Sequence, residues 1–213
     1  GFLWRRASFV HMTIGAGLSS YVGYSVISFL PTFLVRSFGM PVGLVGLYLG
    51  LIIGIVGGAG FFLGGYIADH LGKTGHRRGL RFIGLTVFLT ALPYAAMFLS
   101  ASWQSALWLF LIPALTANVY LAPVLSQAQG LVSLRMRAMA SAVALLIINV
   151  IGLALGPLLT GVLSDLLEPR FGEESMRYSL LLVTSVVLPW AGWHYARAGR
   201  TIDADLERAA EHD

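Results

Sequence analysis

The spacing of charge along this chain leaves few folds open to it. No Asp, Glu, Lys or Arg occurs in residues 7–35, 37–68, 82–134, 138–164 or 178–196, runs of 29, 32, 53, 27 and 19 residues. A bilayer-spanning helix needs about 20 consecutive apolar residues to cross a hydrocarbon layer about 30 Å thick. The 53-residue run is long enough for two helices. Its turn belongs at Ser100-Ala101-Ser102-Trp103-Gln104, where small polar residues meet a tryptophan suited to the interface. That predicts six spans, at roughly 8–34, 43–68, 81–99, 104–130, 138–164 and 178–197. A soluble core could supply one or two such runs, not six in tandem. Only 11% of the residues are charged, against about 25% in ordinary soluble domains. The expected class is an all-α membrane protein embedded in a lipid bilayer, with a charged tail over residues 201–213, either a short solvated helix or disordered.

Lys and Arg set the orientation. With the N-terminus inside, the inner segments hold Arg5, Arg6, Lys73, Arg77, Arg78, Arg81, Arg135, Arg137, Arg197, Arg200 and Arg208, and the outer segments hold Arg36, Arg170 and Arg177. Eleven against three places both ends in the cytoplasm, and the inner (plasma) membrane is the expected location. The net charge of +4 is then a topology signal, and nucleic acid is not an expected partner. The chain has no cysteine and begins at Gly1 without a signal-peptide pattern, so it reads as a piece of something longer.

The spans differ in character. Gly46, Gly50, Gly54 and Gly58 recur every fourth residue in the second, a ridge of small residues that lets another helix come close. It serves either packing or sliding during conformational change. The fifth repeats the theme with Gly152, Gly156-Pro157 and Gly161. The third and sixth are mostly Leu, Val, Phe and Ala, and read as a lipid-facing outer pair. Polar side chains form two stripes: Tyr21, Ser25, Ser28 and Thr32 with Tyr24 beside them, and Thr116, Tyr120, Pro123 and Gln127 with Asn118 off the line. Asn149 lies near the middle of the fifth span. Polar groups facing hydrocarbon cost free energy, so these stripes face protein or a water-filled cavity. Tyr21, Tyr24, Ser28, Asn118, Tyr120, Gln127 and Asn149 are the candidate lining residues, with interhelical hydrogen bonding as the alternative.

Enzyme signatures are missing. Gly72-Lys73-Thr74 imitates the end of a phosphate-binding loop, but Ile67 stands where that loop needs glycine. The five histidines lack metal-ligand spacing, and there is no Gly-x-Ser-x-Gly elbow. No catalytic residue, cofactor or metal is expected. No acid or base lies in the middle of any span, where ion-coupled transporters usually carry one.

The densest polar stretch, Gly65-Tyr66-Ile67-Ala68-Asp69-His70-Leu71-Gly72-Lys73, resembles the signature loop of the major facilitator superfamily, a Gly-x-x-x-Asp-basic-x-Gly-basic pattern between the second and third helices of each six-helix half. His70 and Thr74 depart from the pattern, and Arg77 and Arg78 can compensate. Phe29-Leu30-Pro31-Thr32-Phe33-Leu34 with Arg36 and Gly39 resembles the seventh helix of that family. Arg135-Met136-Arg137-Ala138, then Asn149, Gly152, Gly156-Pro157 and Gly161-Val162-Leu163-Ser164-Asp165, resemble the eleventh and its approach. These phrases are most similar to the Spinster-like branch, whose members are linked to export of lysolipids and sphingoid phosphates. Gly152-x-x-x-Gly156-Pro157 also resembles an antiporter motif of the fifth helix, which would make this a first half.

The resemblance implies the C-terminal six-helix half of a twelve-helix secondary transporter. It implies an N-terminal half as partner and an amphipathic, lysolipid-like or organic-anion substrate. Gly65, Asp69, Gly72, Lys73 and Arg77 would form a conformational gate in which Asp69 meets a helix N-terminus of the partner half or pairs with Lys73 or Arg77. Asp69 capping only its own loop is the plainer possibility. A non-transporting six-helix sensor or assembly module is the alternative of another class.

Overall fold

Each uncharged run becomes a helical rod, and the residues that end the runs make the corners. A computed structural model describes residues 2–210, apart from the side chains of residues 2, 68–69 and 71–74. After a short 3-10 turn at Phe2–Arg5, α1 runs over Ala7–Phe38. It stops at Gly39, whose left-handed φ of 63° favours a residue without Cβ. Gly39 and Met40 donate their N–H groups back to the carbonyls of Val35 and Leu34.

The second rod is α2 (Val42–Leu51), a π-helical segment (Ile52–Gly57) and α3 (Gly58–Thr74). Gly75, at φ 120°, is the whole corner before α4 (His76–Phe98). The expected turn after it is present. Ser100 Oγ donates to the Met97 carbonyl at 2.7 Å, and Ser102 Oγ accepts from the Ser105 N–H at 3.3 Å, capping α5 (Trp103–Thr116). The chain breaks at residues 117–120 and resumes as α6 (Leu121–Gly130). Next come α7 (Arg137–Asn149), a second π segment (Val150–Ala154) and α8 (Leu155–Phe171). Gly172, at φ 54°, turns the chain into α9 (Ser175–Ala210).

Five helical stretches among the described residues are long and apolar enough to cross a membrane: Ala7–Phe38, Val42–Ile67, His76–Phe98, Trp103–Gly130 and Leu134–Ala210. The last has 77 residues, which at ~1.5 Å per residue far exceeds a bilayer. It doubles back instead. Ser179 Oγ donates to the Thr160 carbonyl at 2.7 Å, and the Ser164 and Ser175 hydroxyls meet at 3.1 Å, as in an antiparallel hairpin about Gly172. The described chain is therefore six packed rods.

α9 is the stave that joins this bundle, packed against both α1 and α4. Its contact with α4 is backbone on backbone: a Cβ on Gly192 would sit 2.8 Å from the Gly84 carbonyl oxygen, and one on Gly84 2.9 Å from that of Gly192. The expected outer pair, α4 and α9, keeps exposed apolar stripes (Leu85, Phe88, Leu89 and Leu92; Leu182, Val186, Trp190 and Trp193), but α9 buries its other side completely at Tyr195, Ala198 and Ile202. The tail, expected as a short solvated helix or as disordered, is helical to Ala210 as a continuation of α9, and it is docked. The buried Asp205 carboxylate accepts from the Ser8 N–H at 3.0 Å and from Ser8 Oγ–H at 2.7 Å, capping α1 in trans. In return Arg6 donates to the carbonyls of Asp205 and Arg208, which are among the last of α9. At the opposite end Ser37 Oγ donates to Glu174, which also pairs with Arg177 at 2.6 Å. Both ends of α1 are thus tied to the α8–α9 hairpin.

Candidate functional site

Two interruptions of regular helix, the second π segment and the break at 117–120, come together at α1. A Cβ on Gly152, in the second π segment, would collide with Ser20 Oγ of α1, and one on Gly156 would sit 2.8 Å from the Tyr21 carbonyl oxygen. These two glycines let α1 lie directly against the fifth rod. The break at 117–120 lies across from them, where helical hydrogen bonding is reduced to short links from the Val119 N–H to the Thr116 carbonyl and from the Leu121 N–H to the Asn118 carbonyl. Prolines at 113 and 123 flank the break, and each removes an N–H from the ladder. π segments and broken helices are frequent at working sites because they free backbone groups and redirect side chains.

A cavity of about 280 Å³ opens between these elements. Its polar lining is Ser19, Ser20 and Tyr24 of α1, Asn118 and Tyr120 of the break, and Asn149 at the end of α7. Four of the seven candidate lining residues, Tyr24, Asn118, Tyr120 and Asn149, are therefore gathered in one cavity. Tyr120 is buried. Asn149 donates its amide to the Leu145 carbonyl at 2.8 Å, which orients the side chain and leaves its Oδ1 as an acceptor. Among the described residues no charged side chain lines this cavity.

The other three candidates lie elsewhere. Tyr21 is buried at the close approach to Gly156, and its neighbour on the stripe, Ser25, accepts from Thr160 Oγ1 at 2.8 Å. That part of the stripe makes interhelical packing. Ser28 is exposed and outside the lining. Gln127 is buried outside it, with Oε1 lacking a partner among the described residues. Sequence reasoning passed over Ser19 and Ser20. The signal was available, since Ser20, Tyr24 and Ser28 also fall at i, i+4 and i+8. Asn118 joins Tyr120 in the cavity because the chain is not helical there.

A second cavity of about 320 Å³ shares Gly23, Ile27, Ala117 and Asn118 with the first. Its remaining lining is apolar or glycine, apart from Tyr94: Val26, Ile53, Gly54, Gly57, Gly58, Phe61, Phe110 and Ala114. A chamber offering hydroxyls and amides thus adjoins a greasy one.

Of the expected gate, Gly65 is half-buried in α3 and Arg77 is exposed in the first turn of α4. The side chains of Asp69, Gly72 and Lys73 lie outside the described ones. Their backbone is helical, so Gly72 continues α3 and the corner belongs to Gly75 alone. A Cβ on Gly64 would sit 3.0 Å from Val119 Cα, so this part of α3 lies against the break that carries Asn118 and Tyr120. His76, Arg77 and Arg78 open α4 without an acid in the first turn, an arrangement that leaves the positive end of the helix dipole uncompensated within α4.

No family model matches the chain. An MFS-type efflux pump of Mycolicibacterium smegmatis is 34% identical over 186 residues, which are 87% of this chain and 43% of the pump. Among solved structures, a bacterial homologue of the human lysosomal transporter Spinster is similar in two inward-facing forms. The occupied form superposes with a TM-score of 0.80 over 94% of this chain, and the unoccupied form with 0.84 over 95%, each at 27% identity. In both, the match takes in 50% of the solved chain. This chain spans about half the length of the relatives it matches.

Proposed function

This chain belongs to the major facilitator superfamily, and from that membership we propose that it forms the C-terminal half of a secondary transporter working by alternating access. Its partner is an N-terminal six-helix half. The observation that carries the substrate class is the pair of adjoining cavities. One offers hydroxyls and amides and the other apolar walls, and they meet at Gly23, Ile27, Ala117 and Asn118. An amphipathic, lipid-like molecule satisfies both at once, with its polar head hydrogen-bonded at Tyr24, Asn118, Tyr120 and Asn149 and its apolar part against Phe61 and Phe110. An organic anion would draw its countercharge from the partner half, because the described residues line the cavity without any.

Support for the partner comes from the second rod. Cβ atoms added at Gly46, Gly50, Gly54 or Gly58 would meet nothing within 4 Å, so the ridge is free for another helix. Rocking of two halves about a midplane site is the motion such an interface serves. The signature loop is the gate: Asp69 supplies the negative charge that the basic start of α4 lacks, or meets a helix N-terminus of the partner. Contacts of this kind, made in one state and broken in the other, bias the equilibrium by ~1–3 kcal/mol. Both ends lie in the cytoplasm, and the membrane is the plasma membrane.

Flux in proteoliposomes tests the reading. The full transporter should move a lysophospholipid, and Asn118→Ala with Tyr120→Phe should cut the flux at least tenfold while the protein still inserts. Absence of flux for every amphipathic probe would favour a non-transporting membrane module. Asp69→Asn should also lower flux without loss of insertion, and unchanged flux would remove the gate.

A further inference from the structure

The sequence places no acid or base in mid-span, yet the fold brings two titratable rings together inside the bundle. His11 of α1 and His194 of α9 are 183 positions apart, and their Nδ1 atoms lie 2.9 Å from each other. His194 is 7% exposed and His11 partly buried. Gly15 makes room for the contact: a Cβ there would be 3.3 Å from His194 Cβ. Trp193 packs edge-on against both imidazoles, with centroids 5.7 Å from His11 and 4.8 Å from His194, and Trp190 lies 5.9 Å from His194. We propose that His11 and His194 form a one-proton binding site that clasps α1 to α9.

The count of one follows from the ring chemistry. Between two neutral imidazoles an Nδ1–H···Nδ1 bond needs one ring in the Nδ1–H tautomer and the other in the Nε2–H tautomer. An added proton has a place at Nε2 of the donating ring. That ring becomes an imidazolium, its Nδ1–H still points at the neutral partner, and the bond is now charge-assisted. A second proton can go only to the accepting Nδ1, and it removes the acceptor. The clasp therefore tightens with one proton and opens with two.

Among the described residues the surroundings offer the pair no counter-ion, and the nearby Arg197 cation opposes an added proton, so a proton bound here is held by the two rings alone and only on the acid side. Arg197 of α9, whose guanidinium lies 5.4 Å over the Trp193 ring, is the charged group acting on His11, and His11 is the titratable group acting on His194. On α4, Arg81 packs its stem against Gly199, and the Asp205 carboxylate is taken by Ser8 and Arg208. Among the described residues no carboxylate acts on either imidazole. α1 also carries Ser19, Ser20 and Tyr24 of the cavity, so the state of the clasp reaches the substrate site along one helix. That link to transport rests on the transporter reading, whereas the proton site does not.

The test uses the full transporter in nanodiscs and in proteoliposomes. Imidazolium quenches a neighbouring indole, so tryptophan emission from pH 8 to 4 reads the site through Trp193. The expected result is an acid quench with a one-proton slope, reduced by Trp193→Phe and absent in the double variant His11→Asn/His194→Asn. The asparagine amide can occupy the Nδ1 position without titrating, and single His→Asn variants check that the fold survives. Flux by the double variant should match the parent within twofold at pH 8 and lose its acid-side change. A quench that persists in the double variant, or a two-proton slope, overturns the site. A protein without flux at any pH counts against the transporter reading, while the emission titration still decides the proton site.

Discussion

The rods α1 and α2–α3 start from the same kind of sequence, long, apolar and glycine-rich, and end in opposite circumstances. In the most apolar stretch of α1 56% of the residues are buried inside the bundle, and in that of the second rod 17% are. The glycines divide the same way. Gly84 against Gly192, and Gly152 and Gly156 against α1, are pressed onto neighbouring backbone, whereas Gly46, Gly50, Gly54 and Gly58 face open space. A small-residue ridge thus states that something can come close, and the fold decides whether that something belongs to the same chain. The second rod is not loose throughout. Gly60 and Gly64, on another stripe, are pressed against Leu115 and Val119 of the fourth rod.

The strongest way to break this contrast is to fill a used glycine. Gly192→Leu would drive a side chain into the Gly84 carbonyl and Phe88, at 2.8 and 3.0 Å from the first added carbon. Neither helix can yield cheaply, and overpacking of this kind costs about 3 kcal/mol or more. Unfolding in mixed micelles should show the loss, and a variant as stable as the parent would mean that α4 and α9 are not in backbone contact.

A smaller effect is expected where α1 and α9 are joined by polar groups. Asp205→Ala deletes the acceptor for the Ser8 N–H and hydroxyl and leaves the start of α1 uncapped in a buried place. Loss of a buried partner costs about 1–3 kcal/mol. Hydrogen exchange should locate the change at Arg6–Val10, and exchange rates unchanged there would show that the tail does not hold α1.

The rods themselves were legible in the sequence because charge cannot enter hydrocarbon, and Ser100–Gln104 was legible because a turn there needs small polar residues. The family was legible in the loop at Gly65–Lys73 and in the Pro31, Asn149 and Gly156-Pro157 phrases. What was not legible depends on pairing across the chain. Nothing local marks Asp205 as a cap for Ser8, or joins His11 to His194. The polar stripes were read with a helical period. That period holds for α1, where it still mixed packing residues Tyr21 and Ser25 with cavity residue Tyr24. It fails at 117–120, where the break swings Asn118 to the side of Tyr120.

The smallest expected effect sharpens the comparison most. Gly50 lies on the open ridge, outside both cavities, and a Cβ there meets nothing within 4 Å. Gly50→Leu should leave the stability of the six-helix chain within about 0.5 kcal/mol, or raise it by up to ~1 kcal/mol, since leucine is the better helix former. In the full transporter the same substitution puts a large side chain where the partner half is proposed to dock. There it should slow flux several-fold while insertion and micellar stability hold. Equal flux in parent and variant would mean that the ridge faces lipid, and that the openness of the second rod reflects its place in the membrane rather than a missing neighbour.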